Sequence, residues 1–170
     1  MYESEICHMN NLAFESYKKA LNITKEFFQK DYQFAMATTA NNIPSLRFVD
    51  TYFYDGAFYI LTYENTNKVK EITVNPQVAL CSRKGYSFSG KAVNIGHLLL
   101  QENSEIRSKL IAAFEQFYFK HYNENDSICI LKIILENGFV YKDGIGYKID
   151  FANKTAFAEP FTFNTVLTEE

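Results

Sequence analysis

The dipeptide Asp55-Gly56 constrains this chain more than any other feature, because it lies between two runs that read as strands, 45–54 and 57–62. Both residues tolerate the positive φ of a tight turn, and both flanks are rich in the β-branched and aromatic side chains that suit a pleated surface. A β-hairpin is expected there. Further strand-like runs occupy 33–39, 77–83, the first part of 86–100, 127–135, 139–141 and 147–151. Asn41-Asn42 before Pro44, Lys84-Gly85, Asn137-Gly138 and Asp143-Gly144 read as turns between them, with Asn137-Gly138 closing a second hairpin.

Helical period appears in three places. Over 11–30, Phe14, Tyr17, Leu21 and Phe28 recur on one face, which predicts an amphipathic N-terminal helix. The segment 66–74 predicts a short helix that begins at a polar cap and ends before Asn75-Pro76, since proline disfavours helix in the residue before it. Over 103–121, Ile106, Leu110, Ala113, Phe114 and Phe117 form one stripe, as in a packing helix.

Hairpins rather than βαβ units connect these strands, so the expected fold is mainly β (α+β): an antiparallel split β-barrel of six to seven strands with about three flanking helices. No internal repeat or linker-like stretch divides the chain, so a single domain over 1–170 is expected. Its barrel would span about 33–151, and a tail over 152–170 shows no clear period.

Charge and cysteine usage remove several function classes. A net charge of -3 with a pI near 5.7 lacks the attraction that drives non-specific nucleic-acid binding. Cys7, Cys81 and Cys129 are odd in number and widely spaced, which argues against a disulfide framework and a zinc site and for reduced thiols inside a cell. The first residues show no basic region followed by an apolar stretch, and no run approaches eighteen apolar residues, so neither secretion nor a membrane partner is expected and a cytoplasmic location is. Cys7-His8 reads as part of a mobile terminus, and His121 as a cation complementing a helix end. His97, near a strand end, reads equally as a ligand-facing group and as a surface residue.

The informative stretch is 42–80. A helix N-terminus presents unpaired amides and the positive end of the helix dipole, so the hydroxyls of Thr62 and Thr66 with the ammonium of Lys68 can bind a phosphate there. Arg47, about one strand away across the hairpin, can add a second positive charge. The residues alone also fit a surface arginine, a solvated lysine and two capping threonines.

The order of these elements resembles the pyridoxamine 5'-phosphate oxidase-like family of FMN-binding split barrels. That pattern is P-x-x-R, a D-G hairpin, a strand ending in Thr, S/T-x-K opening a helix, then N-P-x-V. Here it reads Pro44 to Arg47, Asp55-Gly56, Thr62, Thr66-Asn67-Lys68 and Asn75-Pro76-Gln77-Val78. The resemblance implies FMN as cofactor, its phosphate held by Arg47 and Lys68 with hydrogen bonds from Thr62 and Thr66. It also implies Phe48 and Val49 against the flavin ring, and Leu61 and Asn67 completing the cofactor-binding set. A homodimer with the flavin between subunits is implied as well. Glu64 beside the phosphate position, Asn67 where the oxidases proper are often basic, and an acidic, phenylalanine-rich tail count against true pyridoxamine phosphate oxidase activity.

The expected function is therefore an FMN-dependent oxidoreductase acting on a small organic substrate or a reduced nicotinamide. No residue stands out as catalytic, because the flavin would carry the chemistry. The alternative is a non-catalytic flavin- or haem-binding protein.

Overall fold

The computed structural model describes residues 2–114 and 127–163. Its order is α1 (Tyr2–Phe28), β1 (Tyr32–Ala40), β2 (Ile43–Tyr54), β3 (Ala57–Tyr63), α2 (Asn67–Val74), β4 (Gln77–Cys81), β5 (Ser87–His97), α3 (Ser104–Ala113), β6 (Ile128–Lys142), β7 (Ile145–Asp150) and β8 (Thr155–Pro160). All strand pairs are antiparallel, in the order β3-β2-β1-β4-β5-β6-β7-β8. An additional β3–β6 pairing closes the first six into a barrel. The expected mainly β barrel with flanking helices is what the chain forms, and the Asp55-Gly56 turn takes the positive φ values, 46° and 76°, that a tight hairpin requires.

Two apolar clusters hold the barrel. The larger one fills its interior, and Phe28 at the end of α1 plugs it: this fully buried ring has the rings of Tyr32, Phe34, Phe58, Tyr86 and Phe88 within 5.7 Å. The smaller cluster lies outside, where Ile106 and Leu110 of α3 and the following Phe114 cover Tyr52, Tyr59, Leu61 and Ile130. The buried amide of Asn103 donates to the carbonyls of Ile95 (3.1 Å) and His97 (2.9 Å), which ties the end of β5 to the start of α3.

Four expectations need correction. Asn137-Gly138 is not a turn: β6 runs through it, with β5 on one side and β7 on the other. Pairing steps from Leu135↔Gly90 to Asn137↔Ser89, so Glu136 is bulged out. A Cβ on Gly138 would come within 2.7 Å of the Phe88 ring, so this glycine serves close packing rather than chain reversal. The tail is not wholly irregular, because Thr155–Pro160 pairs with β7 as the eighth strand. The first helix begins at Tyr2 rather than near residue 11. Helix α3 ends at Ala113, where Phe114 turns extended and buries its ring; residues 115–121, also expected to be helical, lie outside the described residues, as does His121. The side chains of Cys7 and His8 lie outside them as well. Among the described residues no helix is long and apolar enough to cross a membrane.

Candidate functional site

Register places the site. On the β1–β2 hairpin Met36 opposes Arg47 and Thr38 opposes Ser45, so these four side chains share the inner face. The next helix, α2, leaves the end of β3 and packs on β1, which brings Lys68 and Glu71, three residues apart on one helical face, over that row.

The result is a polar knot. The Arg47 guanidinium donates to Glu71 Oε2 at 2.6 Å and to Thr38 Oγ1. Thr38 Oγ1 donates to Glu71 Oε2 at 2.6 Å, and Ser45 Oγ to Glu71 Oε1 at 2.8 Å. The Thr38 hydroxyl, above all, holds the Glu71 carboxyl below the ordinary glutamate range; partial burial opposes this, and Ser45 and Arg47 reinforce it.

Beside this knot, Lys68 Nζ donates to Thr62 Oγ1 at 2.9 Å, and Thr62 Oγ1 lies 3.4 Å from Thr66 Oγ1. Burial, and then the positive charge of Arg47, push the Lys68 ammonium below the ordinary lysine value. The two cations are thus close enough to repel. Thr66 does not cap α2: its hydroxyl donates to the Tyr63 carbonyl at 2.8 Å, and no side chain caps the first turn. The buried thiol of Cys129 sits opposite Thr62 in the β3–β6 ladder, its pKa raised first by burial and then by Glu64.

Of the residues singled out in the sequence, Arg47, Thr62, Thr66 and Lys68 come together. Val49 is buried in the barrel core, and Leu61 faces the opposite side from Thr62, under α3. Phe48 is 65% exposed on the outer face of β2, away from Arg47, and Asn67 is exposed at the start of α2. His97 accepts the Leu99 amide on Nδ1 at 3.1 Å and stands opposite Cys129. Glu71, Thr38, Ser45 and Cys129 were not singled out. Glu71 had a usable signal, its i+3 spacing from Lys68.

The family model described as pyridoxamine 5'-phosphate oxidase matches residues 23–134. No curated protein matches the chain. Among solved structures, a nimC/nimA family protein from Clostridium acetobutylicum is 24% identical, with a TM-score of 0.50 over 91% of this chain and 96% of that one. An FAD-binding protein from Mesorhizobium loti is 14% identical, with a TM-score of 0.53 over 70% and 91%. A heme binding protein from Mycobacterium smegmatis is 14% identical, with a TM-score of 0.59 over 84% and 59%. At these identities the likeness is one of fold.

Proposed function

Since the chain belongs to the pyridoxamine 5'-phosphate oxidase family, we propose that it is an FMN-dependent oxidoreductase acting on a small organic substrate or a reduced nicotinamide. One observation carries this reading. Lys68, Thr62 and the uncapped first turn of α2 gather beside Arg47, a donor set suited to a phosphate monoester. Glu71 leaves the cluster one net positive charge, and the two Arg47 bonds described use two of its five N–H donors. Arg47 and Lys68 would hold the phosphate, Thr62 and Thr66 would add hydrogen bonds, and Asn67 would lie at its edge.

When bound, the flavin supplies reversible two-electron chemistry, and the chain supplies anchoring and orientation. Val49 and Leu61 would act from within the wall, by fixing the strands that carry Arg47 and Thr62. Phe48 belongs to a different surface: with Leu46 it makes an exposed apolar row on β2, beside Ala35 and Ala37 of β1. A second copy of the chain would cover this row and complete a flavin site between subunits, in the cytoplasm.

The absorbance spectrum of freshly purified protein tests the reading. A flavin spectrum bleached by NADH or NADPH supports it; a Soret band without flavin favours haem binding, the second reading, which the heme-binding neighbour of like fold supports. R47A and K68A should each weaken FMN binding by about 1.5–3 kcal/mol, the range for hydrogen bonds to charged groups, in a titration of flavin fluorescence quenching. Unchanged curves would remove both residues from the site.

A further inference from the structure

A cavity of about 520 Å3 lies between α1, the β2–β3 hairpin and the turn that joins β7 to β8. Phe53 stands on its wall, six residues along β2 from Arg47, about 20 Å at the rise of a strand. It is therefore separate from the phosphate cluster.

Its lining is chemically mixed. Half-buried Tyr17 and Leu21, packed over the fully buried Phe53, form an apolar floor, while the exposed Lys25 and Lys154 bring two ammonium groups to the rim against one carboxylate, Asp55. Neither lysine takes part in an ion pair among the described residues. Tyr17 also lines the cavity, and burial raises its pKa, so its hydroxyl stays protonated and can donate.

Lys25 has an ordinary explanation in the last turn of α1, where a cation complements the helix dipole. Lys154 has none. Five non-glycine residues among those described adopt positive φ, and four of them, Asn41, Asn42, Asp55 and Asp143, are the types that tolerate it. The fifth is Lys154, at φ 53°, where asparagine or glycine would be the easier choice. A long cation is held in an unfavourable backbone state on the rim of a cavity that already carries a second cation.

We propose that this cavity binds an aromatic carboxylate: the flat body lies on the Tyr17–Leu21 floor, and the carboxylate bonds Lys25 and Lys154. The volume falls in the range of small-molecule sites. Two ammonium groups on exposed side chains, against one carboxylate, favour an anion over a neutral molecule of the same shape.

Fluorescence titration of the full chain with 2-naphthoate and with its neutral counterpart 2-naphthylmethanol tests the site. The expected result is binding of the naphthoate about tenfold or more tighter than the alcohol. K25Q and K154N should each abolish most of that difference, and R47A/K68A should leave it intact. Because K154N puts a residue suited to positive φ in the turn, its melting temperature should be unchanged or raised, which separates loss of the site from loss of the fold. Equal binding of the two compounds, undiminished naphthoate binding in K154N, or loss of binding only in R47A/K68A would each overturn the proposal.

Discussion

Glu71 decides the state of the phosphate cluster when nothing is bound there, because Arg47, Thr38 and Ser45 all point their donors at it. E71Q removes the charge paired with Arg47 and replaces one of the two accepting oxygens by an NH2 donor, so it should lower the stability of the unliganded protein by about 1.5–3 kcal/mol in urea unfolding. The pH dependence has a definite sign. A carboxyl held below its unfolded value contributes stability that is complete above about pH 4.3, the unfolded glutamate value, and is lost as pH falls through the folded value. Wild type should therefore lose stability more steeply than E71Q below that pH. Arg47, Lys68 and the two threonines were legible because they stand at fixed places around a hairpin and a helix start. Glu71 reads as an ordinary surface helix residue until the packing of α2 on β1 is known, and the outward aim of Phe48 needed the register of β2.

At the scale of elements, turns and periods were legible where one residue type had one use. Asp55-Gly56 had only a turn to make. Asn137-Gly138 has the same turn chemistry, yet Phe88 and Phe151 need the bare Cα of Gly138, and pairing on both sides keeps the strand running. The eighth strand was hidden because Thr155–Pro160 alternates no apolar face of its own and takes its place from β7. The β5–β6 bulge gives a contrast to measure. A Cβ on Gly90 would lie 2.0 Å from the Ile134 carbonyl oxygen, backbone against backbone, whereas one on Gly56 meets nothing within 4 Å. G56A should cost about 1 kcal/mol for its positive φ. G90A should cost more than about 3 kcal/mol, or fail to fold, because the bulge must open; denaturant midpoints of the two variants check the order.

For the whole molecule, the exposed row on β2 is the surface that most needs an occupant. Leu46 is 72% and Phe48 65% exposed, and the strands beyond carry small residues, Ala35, Ala37, Ala79 and Cys81, in register with them. A flat face of small side chains with a raised apolar ridge suits a self-complementary contact. The protein should be a dimer by light scattering at micromolar concentration, and F48D or L46D should make it a monomer with melting curves still cooperative. A monomeric wild type would remove the second copy from the site.

The ring is shut by one pair of strands far apart along the chain, Ala57 meeting Ile134 and Tyr63 meeting Ile128. During synthesis on the ribosome, β3 is therefore finished long before its neighbour exists, and the nascent chain carries an open strand edge until residue 134 has emerged. Refolding from denaturant should be correspondingly slow, since loop closure across this separation must come before the closing ladder stabilises anything. The same seam that completes the mature molecule is where the growing one is most exposed to misassociation.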